Sequence, residues 1–173
     1  MRTIAIYVAD GPAIVRIDGQ SGAQSILTTG GNLVSPSGLM PHGKNLVVVD
    51  AGAASVVKVN LTTGEQEVLS SGGELSEPSG ITLGISPLSY IVSDAAAQAI
   101  VRVSIRNGSQ TVVASGENLI TPTNVSIVMS EAGPKPSSRH LVADAGAGSL
   151  IWVDEQTGEQ TVLTSDGAFA GPT

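Results

Sequence analysis

Four aspartates recur about every 40 to 50 residues in this chain of 173, and their type and spacing could support chemistry. They are Asp10, Asp50, Asp94 and Asp144, and each ends a short apolar run and precedes a tract of small residues. Carboxylate oxygens are ligands that hard divalent cations prefer in proteins. A fold that gathered all four would therefore bind a metal ion such as calcium, or a cationic group.

Other residues that could do chemistry are few. Cysteine is absent, and His42 and His140 are the only histidines. The chain has no Ser/His/Asp spacing, no His-x-x-x-His pair and no glycine-rich phosphate loop ahead of a helix. We therefore predict no catalytic residue and no bound cofactor. Because neither histidine has a catalytic partner nearby, we expect each to be solvated or locally hydrogen-bonded.

Composition narrows the function classes. The net charge is −7, from 8 basic and 15 acidic side chains, and aromatic residues make up only 2% of the chain. Nucleic-acid binding needs basic patches and stacking aromatics, so we predict no nucleic-acid partner. No apolar stretch approaches the roughly 20 residues that cross a bilayer, and the N-terminus does not read as a signal peptide. The compartment stays open, with extracellular or periplasmic locations included.

Each aspartate belongs to a longer repeat, which is the strongest signal in the sequence. After the small-residue tract comes a second apolar run that contains one long side chain, namely Arg16, Lys58, Arg102 or Trp152. We expect the cationic ones to pair with acids across repeats or to lie along strand edges. A turn ending in glycine follows, then a glutamine, a β-branched run and a loop ending in proline. The glutamines are Gln24, Gln66, Gln110 and Gln160, and the prolines are Pro36, Pro78, Pro122 and Pro172.

Each full copy predicts four short antiparallel strands, lettered a to d from the innermost outward. In the second copy they span Ser37–Met40, Asn45–Asp50, Ser55–Leu61 and Gln66–Ser70. The runs are β-branched and bounded by Gly, Pro, Asn or Ser, which is typical of strands joined by turns. Residues 94–102 alone also fit a capped helix. The equivalent tracts contain Gly or Pro, so we predict a turn at this place in every copy.

Four-stranded units at this period are typical of the blades of a β-propeller. We predict an all-β fold, a β-propeller of four-stranded antiparallel blades, with about four blades in this chain and an incomplete ring. The single propeller segment, 1–173, divides into residues 1–36 without an inner strand, 37–78, 79–122 and 123–173. An uncovered end blade exposes an apolar face. We therefore expect either a fragment of a larger propeller or a half-ring completed by a second copy.

Meander topology places the b–c turns and the d–a loops on one rim. We call it the aspartate rim, because Asp10, Asp50, Asp94 and Asp144 end the b strands there. The a–b and c–d connections, with both histidines, lie on the opposite rim. Aspartate at a strand end commonly hydrogen-bonds the backbone of its own turn, so a structural role is favoured. The four remain candidate ligand-binding residues.

The segment Pro78-Ser79-Gly80-Ile81, followed by 90–94 and 100–103, resembles the NHL repeat. The chain is more loosely similar to the SMP-30, strictosidine synthase and virginiamycin-lyase-like propellers. The lactonase-like members hold a divalent metal at the channel mouth on acidic and amide side chains, and this resemblance makes Asn124 a candidate ligand-binding residue. No histidine is placed where lyase chemistry needs one, so we assign no metal ligands.

These features predict a non-enzymatic binding or scaffold module that contacts a protein or small-molecule ligand through the aspartate rim. The alternative is part of a metal-dependent lactonase-like or lyase-like propeller enzyme whose remaining ligands lie outside this chain. The enlarged a–b loop of the fourth copy, residues 130–139, is a further candidate contact, since insertions in repeat arrays often meet partners. Self-association that completes the propeller is the other expectation.

Overall fold

A computed structural model of the chain describes residues 4–86, 88–128, 139–165 and 172. These ranges contain fifteen β-strands and no helix long and apolar enough to cross a membrane. In chain order the strands are β1 (Ala5–Asp10), β2 (Ala13–Asp18), β3 (Gln24–Thr29), β4 (Pro36–His42), β5 (Asn45–Asp50), β6 (Ser55–Asn60), β7 (Gln66–Ser71), β8 (Pro78–Leu83), β9 (Ser89–Asp94), β10 (Ala99–Ser104), β11 (Gln110–Ser115), β12 (Pro122–Ile127), β13 (Arg139–Asp144), β14 (Ser149–Asp154) and β15 (Gln160–Ser165).

The strands form four antiparallel sheets, each made from strands consecutive in the chain. The first sheet is β1-β2-β3, and the second, third and fourth are β4-β5-β6-β7, β8-β9-β10-β11 and β12-β13-β14-β15. The prediction of an all-β propeller with about four blades is therefore confirmed. In the second copy the observed strand ends lie within two residues of the predicted ones. Residues 130–138 of the enlarged a–b loop lie outside the described residues.

The sheets stack because their b and c strands are apolar on both faces. Leu46, Val47, Val48 and Val49 of β5 are all fully or almost fully buried, so both faces of the second sheet are covered. Three apolar clusters fill the spaces between the first and second, second and third, and third and fourth sheets. In the part of the chain that the structure describes, no comparable packing joins the fourth sheet to the first, so the ring is not closed.

The alanine-rich tract after Asp94 folds as the repeat predicts. Residues 95–98 form a turn, and strand β10 begins at Ala99. Gln98 has a φ of 51°, in the left-handed region that ends a tight turn and cannot continue an α-helix. The equivalent tract after Asp144 places Gly148 in the same region, with a φ of 58°. The shared turn, and not a helix, is therefore confirmed.

The c–d hairpin of each later blade presses a glycine against the sheet before it. A Cβ added to Gly64, Gly108 or Gly158 would collide with the backbone carbonyl oxygen of Leu27, Leu69 or Val113, respectively. All three glycines have a positive φ, between 69° and 74°. Glycine is needed here for two reasons, its φ and the close approach of a neighbouring backbone. The outer edge of each junction between sheets is therefore set by a backbone-to-backbone contact.

We predict that Gly108→Ala destabilises the protein much more than Gly43→Ala. Both glycines have a positive φ, 69° and 61°, so both substitutions carry the cost of a left-handed alanine, about 1 kcal/mol. Only the methyl group at position 108 meets another sheet, since nothing lies within 4 Å of a Cβ at Gly43. The collision adds roughly 1–3 kcal/mol of overpacking. Urea unfolding of the two variants measures the difference, and equal midpoints would contradict the junction contact.

Candidate functional site

The repeated aspartates are fully buried in three of the four copies, where each holds the aspartate rim together. Asp50, Asp94 and Asp144 are each 0% exposed. The Asp94 carboxylate accepts N–H bonds from Ser76 at 2.8 Å and Glu77 at 2.9 Å in the d–a loop, and from Ala97 at 2.9 Å in the b–c turn. Asp50 and Asp144 make the equivalent bonds in their own copies. Each carboxylate thus joins a loop to a turn.

The aspartates differ in exposure, and the buried ones are engaged by backbone N–H groups. Asp10, in the first copy, is exposed. Among the described residues, no three histidine, aspartate or glutamate side chains come together as a metal site would require. Both carboxylate oxygens of each buried aspartate accept backbone N–H bonds, as the structural role predicts. Ligand binding by the four aspartates stays a prediction.

Asn124 lies on the inner strand β12 of the fourth sheet, at the repeat position of Gly38 and Gly80. Its side chain is exposed, and its Oδ1 accepts the N–H of Val125 at 2.8 Å. A Cβ on Gly80 would lie 2.8 Å from this Oδ1, so the inner strands of neighbouring sheets nearly touch here. Asn124 also lines a shallow depression of about 120 Å³ on the open face of the fourth sheet. Its predicted role in binding is not tested by these contacts.

The repeated glutamines are the second set of clamps on the aspartate rim. Gln66, on the second sheet, accepts the N–H of Asn32 at 2.7 Å and donates to the Gly30 carbonyl at 3.0 Å and to Thr28 Oγ1 at 2.8 Å. Asn32 and Gly30 belong to the loop that leaves the first sheet. Gln110 holds the next loop in the same way, and Gln160 accepts the N–H of Asn118 in the loop after that. Each glutamine therefore fastens its own sheet to the sheet before it.

The clamps turn the backbone of each d–a loop inward and leave selected side chains outside. Leu33 and its counterparts Leu75 and Leu119 are buried at 2%, 3% and 0% exposure and close the top of each junction. The residue that follows is exposed, and Val34 and Ile120 are 58% and 44% accessible. These two side chains lie over Gly52 and Gly146 of the b–c turns. A Cβ added to either glycine would come within 2.8 Å of the Val34 or Ile120 side chain, respectively. The rim thus presents aliphatic side chains on a backbone held at every turn.

A groove of about 270 Å³ lies beside Ile120 on this rim. The d–a loop contributes Glu117, Asn118 and Ile120, and the fourth sheet contributes Ala147 and Val162, with Ser149 and Ser165 completing the lining. Ile120 and Val162 are 44% and 42% exposed, so the groove offers apolar surface to solvent. Glu117 gives one side of it a negative charge. The groove is therefore an apolar recess with an acidic edge.

The opposite rim contains a buried ionic cluster that the sequence did not reveal. Glu155 is 3% exposed, and its Oε2 lies 2.8 Å from Nε2 of the fully buried His140. Its Oε1 accepts from Nε of Arg102 at 3.3 Å, and Nη2 of Arg102 donates to the Glu155 backbone carbonyl at 2.6 Å. The N–H groups of Ile85 and Ser86 complete the cluster. The cluster ties the third sheet to the fourth.

Two expectations are resolved by this cluster. The prediction that a long cationic side chain pairs with an acid across repeats is confirmed at Arg102. The expectation that each histidine is solvated or locally bonded is wrong for His140, because its partner Glu155 is fifteen residues away and both are buried. The signal was in the repeat, since Glu155 occupies the position of Leu61 and Ile105. An acid at an apolar repeat position indicates a buried partner.

The same expectation is wrong for His42, whose partner Tyr90 is 48 residues away and lies on the next sheet. His42 Nδ1 lies 2.6 Å from the hydroxyl of Tyr90, and the two rings meet edge to face with centroids 5.6 Å apart. Tyr90 is 1% exposed, and burial raises the pKa of its hydroxyl. This contact joins the second sheet to the third on the opposite rim. Both histidines therefore act at junctions between sheets.

Neither a protein-family model nor a curated protein matches this sequence. Solved structures do match in fold. A chain of a nidogen/laminin complex matches over 99% of this chain and 62% of its own length, with a TM-score of 0.78 and 18% identity. An auxiliary nutrient binding protein from Bacteroides thetaiotaomicron matches over 98% and 46%, with a TM-score of 0.75 and 16% identity. Hydrazine synthase from Kuenenia stuttgartiensis matches over 95% and 47%, with a TM-score of 0.68 and 19% identity.

These matches show the fold alone, because all are below 25% identity. The chain spans between about half and three fifths of the length of the chains it matches. The protein has a β-propeller fold. The three matched structures include a complex between proteins, a binding protein and an enzyme, so the architecture does not select one function.

We predict that Asp94→Asn destabilises the protein by about 2 kcal/mol, because a charged acceptor is lost and an NH₂ group is turned toward backbone N–H donors. Asp10→Asn is the matched control at the same repeat position. Asp10 is exposed, so its substitution leaves the free energy of unfolding unchanged. Chemical denaturation followed by circular dichroism measures both. Equal stability of the two variants would contradict the clamp.

We predict that Glu155→Gln lowers the free energy of unfolding by about 3 kcal/mol at neutral pH, because a buried ion pair loses one partner. Burial raises the pKa of the Glu155 carboxyl, but the hydrogen bonds from His140 and Ile85 and the charge of His140 outweigh it, so the net pKa lies below 4.5. The stabilisation is therefore complete above about pH 4.5 and is lost as the pH falls through the folded pKa.

The measurement is a pH series of urea unfolding on the wild type and the variant. The stability gap should be full above the ordinary glutamate pKa and should narrow in acid. Glu159→Gln is the control, since Glu159 is exposed in the same c–d turn. A gap that stays constant down to low pH would show that the Glu155 charge does not contribute.

Proposed function

We propose that this chain is a non-enzymatic binding module, built on NHL-like propeller repeats, that contacts its partner through the aspartate rim. The observation that carries the proposal is the double clamping of the d–a loops by buried aspartates and by glutamines of the next sheet. A surface held in this way binds without losing much conformational freedom, which favours affinity. The aliphatic side chains Val34 and Ile120 on it lie over glycines of the b–c turns and remain 58% and 44% exposed.

The chemistry of the rim selects the class of partner. Val34 and Ile120 are exposed aliphatic groups on the first and third d–a loops. Glu117 is an exposed acid on the loop of Ile120, and Glu74 and Glu77 are exposed acids on the second d–a loop. The whole chain has a net charge of −7. A partner segment with basic and apolar side chains complements this surface in both charge and burial. We therefore propose a protein or peptide partner of that composition.

The enzyme alternative has no comparable support in the described residues. The buried aspartates already accept three backbone N–H bonds each, and no metal-type cluster is present in the described ranges. The only buried titratable cluster, among the residues described, lies on the opposite rim and joins two sheets. Its atoms are occupied in packing. A binding role fits the rim as it stands.

The proposal is tested by selecting random peptides displayed on phage against the whole chain and measuring how each enriched peptide binds rim variants. We expect basic, apolar peptides whose affinity falls at least tenfold, about 1.4 kcal/mol, with Val34→Arg or Ile120→Arg. Leu83→Arg is the matched control, because Leu83 is an aliphatic side chain of similar exposure, 39%, at the end of β8 on the opposite rim.

Two results would contradict the proposal. In one, the enriched peptides bind both rim variants normally and lose affinity with Leu83→Arg, which would place the binding surface on the opposite rim. In the other, no peptide is enriched on the folded chain. Circular dichroism of each variant confirms that the fold is retained, which is expected because all three positions are exposed.

A further inference from the structure

Every junction between consecutive sheets in this protein is built from two complementary halves. The later sheet supplies a c–d hairpin glycine and a glutamine two residues after it, as in Gly64 and Gln66. The earlier sheet supplies two consecutive residues of its outer strand. In Leu27–Thr28 and Leu69–Ser70 a carbonyl and a hydroxyl receive them, and in Val113–Ala114 the Val113 carbonyl alone meets the glycine. Buried b- and c-strand side chains fill the space between the halves.

The first sheet has the unused half that a later sheet normally supplies. Gly22 and Gln24 occupy the positions of Gly64 and Gln66, but a Cβ on Gly22 meets nothing within 4 Å. The Gln24 side chain is exposed and forms no hydrogen bond within the described part of the chain. The half-junction is therefore complete in residue type and contacts no outer strand among the residues that the structure describes.

The apolar part of this half is uncovered too. Ile6 and Val8 of β1 are 49% and 41% exposed. The residues at the same repeat positions in the three other sheets are at most 1% exposed. The counterparts of Ile6 are Leu46, Tyr90 and His140, and those of Val8 are Val48, Val92 and Val142. Register pairs Ile6 with Ile17 and Val8 with Val15, so these four side chains share one face. That face has the composition of a buried junction.

The fourth sheet has the other unused half. Leu163 and Thr164 occupy the positions of Leu27 and Thr28, and they are the same two residue types in the same order. Leu163 is 49% exposed, and Thr164 is exposed as well. The depression beside Asn124 on this face is lined by Leu141, Ala143 and Leu150, whose counterparts on the second sheet are Val47, Val49 and Val56 of the apolar cluster.

We propose that a second copy of this chain docks its first sheet on the fourth sheet of the first copy, in the register of the internal junctions. Gln24 of one copy then donates to Thr164 Oγ1 of the other, and Gly22 lies over the carbonyl of Leu163. Ile6 and Val8 pack against the face that holds the depression. A second copy is the occupant because both halves are on this one chain and repeat the Gly64–Gln66 and Leu27–Thr28 contact residue type for residue type.

The contact joins two different surfaces, so each copy retains one unused half after docking. The assembly is therefore a closed dimer when both junctions form at once, or a longer head-to-tail series when they do not. This proposal is independent of the binding role of the aspartate rim, because neither half contains the rim side chains Val34 and Ile120.

The first measurement is the molar mass of the whole chain by light scattering over a dilution series up to about 100 µM. We expect dimers or larger assemblies that dissociate on dilution. Val8→Arg is expected to give monomer and to weaken association at least a hundredfold. Ile26→Arg is the matched control on the same sheet face. Its counterparts Val68, Val112 and Val162 stay 38–43% exposed even in covered sheets, so it should leave association unchanged.

The second measurement uses complementation. Leu163→Arg disrupts the half on the fourth sheet and leaves the half on the first sheet intact, whereas Val8→Arg does the reverse. Each variant alone should be monomeric, and an equal mixture should form a one-to-one heterodimer and nothing larger. Circular dichroism checks that both variants fold, as expected for residues 41% and 49% exposed in the single chain.

Three results would overturn the proposal. The wild-type chain could be a monomer at the highest concentration, which would assign the open faces to other polypeptide segments or to a different protein. Val8→Arg could associate as well as Ile26→Arg, which would indicate another surface. The mixture of the two variants could remain monomeric, which would show that the two halves do not meet.

Discussion

A β-sheet with apolar side chains on both faces is stable only when both faces are covered, and this constraint governs the whole structure. The strands β5, β6, β9 and β10 carry such residues on both sides and are buried throughout, apart from Lys58 and Arg102 and the strand ends. One sheet therefore requires the next, and the four stack around an axis. Three apolar clusters between consecutive sheets are the direct result.

The polar residues of the repeat act at the edges of these apolar junctions. Backbone N–H groups in the d–a loops would lose water when the sheets pack, and an unpaired buried N–H is costly. Asp94 and its equivalents accept some of them, and Gln110 and its equivalents accept others from across the junction. The fixed shape of the aspartate rim follows from this requirement. The side chains that remain outside are then available for recognition.

Most of the fold was predictable, because the turn residues and the repeat period are local properties of the sequence. The role of the glutamines was not, although their recurrence was evident, because Gln66 acts on a loop more than thirty residues earlier in the chain. The Glu155 cluster was not predicted for a similar reason, since Arg102 is 53 residues away from Glu155 in sequence. The aspartates were expected to hydrogen-bond the backbone of their own turns, and they do. Their hydrogen bonds to the preceding d–a loop were not predicted.

The missing neighbour of the first sheet also has a consequence for how a single chain comes apart. In an array whose units contact only adjacent units, stability is close to a sum over junctions, so a terminal unit with one junction opens more often than an internal one. The first sheet has three strands and one junction, whereas the second and third sheets have four strands and two junctions. Thermal opening therefore starts at β1–β3 and spreads inward, and amide protons there exchange with solvent before those of β5 and β9.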